Sequence, residues 1–121
     1  MSLRQGDLLG AFEGAEFKAS VDLIVCNPPY ISSSRRAQMD AEIAQHEPSL
    51  AFDGGALGIT ILQRLIREAP PLLRPGAWLV FEVGAGQGPA VSRRLQSSGH
   101  YDDVRQVADH EGGIRVLAAR R

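Results

Sequence analysis

Val21-Asp22-Leu23-Ile24-Val25-Cys26-Asn27-Pro28-Pro29-Tyr30 decides how the chain is read. Its first six residues are almost continuously apolar, and the run halts at an asparagine and two prolines. Such a run reads as a strand covered on both faces, as in parallel sheets. Residues 31–54 are polar and irregular, with room for a short helix over 36–44, and loops of that length often serve as lids or binding loops. Leu57, Ile61, Leu62, Leu65, Ile66 and Ala69 then recur at helical spacing until Pro70 and Pro71 end the helix. Arg74-Pro75-Gly76 predicts a turn, Ala77 to Val83 a second buried strand, and Gly84 to Gly88 a glycine-rich loop. Pro89 suits the first turn of a further helix and Gly99 its end. Val104 to Ala108 and Ile114 to Ala119 predict a closing hairpin around Asp109-His110-Glu111-Gly112-Gly113.

This order predicts an α/β domain whose sheet is mostly parallel with an antiparallel ending. Ligands of such sheets sit beyond the carboxyl ends of the strands. Asn27-Pro28-Pro29-Tyr30 and Gly84-Ala85-Gly86-Gln87-Gly88 both fall at such ends.

Composition bounds the function classes. The 121 residues are 44% hydrophobic and 22% charged, which is the balance of a globular domain. A net charge of -1 argues against tight nonspecific binding of nucleic acid by this chain. The single cysteine, Cys26, rules out an internal disulfide and suits a reducing, cytoplasmic setting, where it reads as a small buried hydrophobe. No apolar stretch approaches the roughly 20 residues of a membrane helix. His46, His100 and His110 are scattered without metal-ligand spacing, so no metal is expected.

The tetrapeptide suits a particular chemistry. The nitrogen of an amide or aromatic amine is a poor nucleophile because its lone pair is delocalised. Two acceptors that take both of its N–H groups can hold it while the lone pair turns toward an electrophilic methyl. Asn27 offers its side-chain carbonyl as one acceptor, and the backbone carbonyl of Pro28 is the second. Two consecutive prolines fix φ near -65°, so that carbonyl has little freedom left to lose. Tyr30 supplies an aromatic face for a flat substrate group. Alignment, rather than a strong base, is what such a transfer needs. The plain alternative is a strand-ending turn, for which Asn and Pro are ordinary residues.

With these residues in view, Val21 to Ile31 resembles the signature of the HemK/PrmC protein-glutamine N5-methyltransferases. That family modifies the glutamine of the GGQ motif in peptide chain release factors. Glu47-Pro48, Ala51-Phe52 and Gly54-Gly55 are similar to its next segment, and Leu73-Arg74-Pro75-Gly76-Ala77-Trp78-Leu79 to its turn into the following strand. Glu82, Gln87-Gly88, Asp109, Gly112-Gly113 and Arg115-Val116 fit its closing third. The resemblance implies part of a Rossmann-like, class I S-adenosylmethionine methyltransferase fold. It implies that Asn27 and Pro28 hold the glutamine amide, that Pro29 and Tyr30 shape the slot, and that Glu47 contacts the peptide. It also implies that Asp7, Leu8 and Asn27 contact the cofactor, with Asp7 and Leu8 lining its adenine. The family's upstream glycine-rich loop, its acidic residue after the next strand and its helical N-terminal domain have no counterpart here. Residues 1–121 are therefore expected to be a C-terminal portion of the catalytic domain that binds S-adenosylmethionine weakly or not at all.

Other readings remain open. Asn-Pro-Pro-Tyr is shared with adenine-N6 methylases of nucleic acid, although a near-neutral chain lacks the basic groove these need. Glu82 to Gly88 itself resembles a cofactor loop, as in a circularly permuted enzyme with Asp102, Asp103 or Asp109 at the ribose. A half-sheet with an exposed edge is also expected to self-associate. Ser32-Ser33-Ser34-Arg35-Arg36 reads as a solvated loop, or sharply as a contact to RNA or a release factor. Ser92-Arg93-Arg94 reads as an exposed helix face, and Trp78 as core.

Overall fold

A computed structural model describes residues 1–28 and 56–121. The expected helix over 36–44, the loop around it, and Pro29, Tyr30 and Glu47 lie outside the described residues. After 3-10 turns at Gly10–Phe12 and Ala15–Phe17, the elements are β1 (Val21–Cys26), α1 (Ala56–Glu68), β2 (Leu73–Glu82), α2 (Gly88–Ser97), β3 (Asp103–Ala108) and β4 (Ile114–Arg120).

The sheet order is β1-β2-β4-β3. β1 pairs parallel to β2, whereas β4 pairs antiparallel to both β2 and β3. Three strands therefore run one way, and the last strand runs back between two of them. The expected α/β sheet with a parallel start and an antiparallel ending is the one observed.

One face of the sheet carries the core. Leu62, Leu65 and Ile66 of α1, Ala69 just after it, and Val91 and Leu95 of α2 form one buried cluster with Ile24, Leu79, Phe81, Leu117 and Ala119. Leu79 and Phe81 on β2, and Leu117 and Ala119 on β4, are two positions apart, as the alternation of a pleated strand requires. The other face is thinner. Leu23 and Val25 are 54% and 71% exposed there, so among the described residues β1 is covered on one face rather than on both as its apolar run suggested. Its strand neighbour is β2, which leaves its outer edge open among the described residues.

Trp78 also departs from expectation. It lies half-buried outside the core cluster, under the guanidinium groups of Arg105 and Arg120 at 4.9 and 5.9 Å from its ring centre. Cationic groups over the ring face replace the hydrocarbon cover expected for it. Ser92 is likewise buried rather than exposed, because its hydroxyl accepts from Gln106 Nε2 at 2.9 Å and so ties α2 to β3.

The turn at Arg74-Pro75-Gly76 is absorbed into β2 as an irregularity. Between Val21↔Leu73 and Leu23↔Trp78 the partner strand advances five residues against two. Gly76 sits in the left-handed region at φ +86°, which a side chain would oppose.

Candidate functional site

β1 delivers its last paired residue, Cys26, beside Phe81 of β2. The next residue, Asn27, is exposed, and Pro28 after it is buried. The asparagine side chain is thus free to meet a ligand while the following proline is anchored. Burial raises the pKa of the Cys26 thiol above its ordinary value, so it stays a neutral, half-buried group.

β2 ends alongside. Glu82 accepts from Arg115 Nη2 at 3.2 Å, and Arg115 Nε donates to the carbonyl of Val83 at 3.2 Å. Asp109 lies 3.9 Å from Arg115 Nη1, and its own carboxylate accepts from the backbone N–H groups of Glu111 and Gly113 at 3.0 Å each. Glu82, Asp109 and Arg115 stand far apart in sequence, and the hairpin return of β4 brings them together at the carboxyl end of β2. Spacing alone gave no sign of that meeting, because it depends on β4 inserting next to β2.

The glycine-rich loop is explained by its own geometry. Gly84 N–H donates to Gln87 Oε1 at 2.8 Å, and Gln87 N–H returns to the Gly84 carbonyl at 3.0 Å. Gly86 takes φ +84°. A side chain at Gly88 would meet Ile114 at 2.6 Å. Conformation accounts for Gly86 and close packing for Gly88, and the Gly84 amide is already occupied. A phosphate- or cofactor-cradling loop keeps such amides available, so these contacts weigh against the permuted arrangement.

Asp7 and Leu8 sit elsewhere, in the N-terminal turn. Asp7 accepts from Arg64 Nη1 of α1 at 3.1 and 3.2 Å, yet its side chain remains 79% exposed. Leu8 holds φ +55°, uncommon for a leucine, and packs half-buried against the core. Nearby residues of the same turn, Leu9 and Phe12, line an apolar groove of about 320 Å³ with Leu23 and Val25 of β1. A larger cleft of about 500 Å³ lies at the amino ends of the strands, between Phe12, Lys18, Arg67 and Pro71. Neither of these two clefts includes Asn27, and the larger opens at the end of the sheet opposite to it. Among the described residues no group of three or more His, Cys, Asp or Glu side chains is arranged to hold a metal, and no helix is long and apolar enough to cross a membrane.

A sheet with its last strand reversed between its neighbours, and an Asn-Pro step at the carboxyl end of a parallel strand, places the chain among the Rossmann-like α/β methyltransferases. Curated relatives make the assignment specific. A release factor glutamine methyltransferase of Synechocystis sp. is 40% identical over 103 residues, covering 85% of this chain and 34% of the relative. That of Gloeobacter violaceus is 41% identical over 96 residues, and that of Moorella thermoacetica 36% identical over 121 residues, covering 100% of this chain and 41% of the relative. No protein-family model matches. The chain belongs to the release factor glutamine methyltransferase family, and it spans 34% to 41% of the length of these relatives.

Proposed function

We propose that the protein transfers a methyl group from S-adenosylmethionine to the side-chain amide nitrogen of a glutamine in a peptide chain release factor. The observation that carries this is the Asn27-Pro28 step, with an exposed asparagine next to a buried proline at the carboxyl end of a parallel strand. In this reading the Asn27 side-chain oxygen accepts one amide hydrogen of the glutamine and the Pro28 carbonyl the other. Both acceptors favour the rotated amide, whose lone pair is less delocalised, and so raise its nucleophilicity. Pro29 and Tyr30 wall the slot, and Glu47 meets the backbone of the incoming peptide. S-adenosylmethionine supplies the methyl as a sulfonium already primed for attack. The exposed carboxylate of Asp7 and the apolar side chain of Leu8 fit the adenine edge, as an acceptor for an exocyclic amine and a surface for the ring. The reaction places the protein with its substrate in the cytoplasm.

The test is methylation of a release factor by the protein, with Asn27→Ala as the variant. Turnover should fall at least 100-fold while S-adenosylmethionine affinity changes less than threefold. Unchanged turnover removes Asn27 from this role.

A second reading concerns residues 1–121 alone. Leu23 and Val25 are exposed on the open edge strand, a surface on which two copies can pair. In that state the chain is a self-associating fragment rather than a catalyst. Sedimentation over a range of concentrations, together with calorimetry against S-adenosylmethionine, separates the two.

A further inference from the structure

An asparagine amide presents nearly the same shape whichever way it is turned, but a half-rotation exchanges an acceptor for two donors. Asn27 serves as an acceptor only if something holds its NH₂ group away from the substrate. Its neighbour across the sheet is suited to that task. Cys26 and Phe81 form the last rung of this parallel pair, and Asn27 and Glu82 are the residues that follow them. Neighbouring strands lie about 4.8 Å apart. Leu79 and Phe81 are buried in the core, so Glu82 alternates away from it, and Asn27, following the half-buried Cys26, is exposed.

The carboxylate is not free to wander. Arg115 holds Oε1 of Glu82 at 3.2 Å while also gripping the Val83 carbonyl, and the side chain is only 34% exposed. Its Oε2 has no partner among the described residues. Here, then, is a fixed anionic acceptor with one oxygen to spare, one residue past the rung from which Asn27 emerges, and the Asn27 amide has no hydrogen-bond partner of its own among the described residues.

We propose that Glu82 sets the orientation of the Asn27 side chain by accepting from its NH₂ group, so that the asparagine oxygen faces the substrate nitrogen. The proposal rests on the acceptor role given to Asn27 above. A hydrogen bond to a carboxylate is stronger than one to a neutral oxygen, so the bonded orientation outweighs the reversed one. Glu82 is a positioning residue in this scheme, with Arg115 as its anchor.

The experiment is nuclear magnetic resonance of residues 1–121 labelled with ¹⁵N, following the side-chain amide of Asn27 beside that of the exposed Gln96. In the wild type the Asn27 hydrogens should exchange with water several-fold more slowly than those of Gln96. Glu82→Ala should bring them to the Gln96 rate. Asp109→Ala, which removes a carboxylate from the same arginine but not from Asn27, should leave them slow. Three results overturn the proposal: equal rates in the wild type, no effect of Glu82→Ala, or an equal effect of Asp109→Ala. The wild-type comparison stands even if a variant fails to fold. If Asn27→Ala abolishes transfer but these rates fail the test, the Glu82 proposal alone is lost. If the rates behave as expected but Asn27→Ala transfers normally, the acceptor reading fails, and with it the purpose assigned to Glu82.

Discussion

Tyr101 donates its hydroxyl to the backbone carbonyl of Ile66 at 2.8 Å, inside the core. In a continuing helix that carbonyl would accept from residue 70, but residue 70 is proline and has no N–H. The phenol therefore caps a carbonyl that the helix-ending proline leaves unpaired, and it couples α1 to the start of β3.

Tyr101→Phe should accordingly destabilise the fold by about 1–3 kcal/mol, the usual cost of a buried polar group left without its partner. Urea unfolding at neutral pH checks this. A loss below about 0.5 kcal/mol would mean that water or a backbone shift satisfies Ile66 instead.

The same burial raises the pKa of Tyr101 above its ordinary value near 10. The unfolded chain then ionises before the folded one does. Stability contributed by the neutral phenol is thus complete below pH ~10 and declines as pH rises beyond it. Cys26, also raised by burial, acts in the same direction from a lower ordinary value. The informative quantity is therefore the difference between wild type and Tyr101→Phe, which share Cys26. That difference should shrink between pH 9.5 and 11; a constant difference would exclude the linkage.

Gly88→Ala should cost about 1–3 kcal/mol despite the better helix propensity of alanine, because the added carbon overpacks a filled site. It would meet both Cβ and Cγ2 of Ile114 at 2.6 Å. Since Cβ itself is one of the atoms met, Ile114→Ala should not rescue the variant. Thermal unfolding of the two single variants and the double variant decides it, and full rescue would contradict the contact geometry.

Val25→Lys places a charge on the open edge of β1, where the side chain is 71% exposed. Folding should be little affected, because the position contributes no buried surface to the core. Any dimer formed through that edge should dissociate at least tenfold more readily in sedimentation equilibrium. Equal association by both proteins would place the contact elsewhere.

Local pattern revealed more of the fold than of the site. Helical spacing from Leu57 to Ala69 gave α1, observed as Ala56–Glu68, and Gly99 marks the end of α2 with φ +77°. The hairpin was legible because Asp109 to Gly113 separate two β-rich runs. By contrast, the exposure of Leu23 and Val25 could not be read from an apolar run, which records what a strand prefers and not which neighbours it has. Trp78 was misplaced for a similar reason, since its cover comes from arginines on β3 and β4. In the site, Asn27 and Pro28 were visible as a motif. Glu82, Asp109 and Arg115 were noted only as resembling residues, because their meeting is a product of strand order.

The place of β4 has a consequence for how the chain is made. A ribosome releases β1, α1, β2, α2 and β3 before the strand that joins β2 to β3 exists, and Leu117 and Ala119 of that strand are wholly buried. Until residue 120 has emerged, β2 keeps an unsatisfied edge and its apolar side chains lack part of their cover. Nascent chains stalled before that point should attract chaperones and proteases, and a premature stop codon within β4 should remove the protein from the cell rather than weaken it.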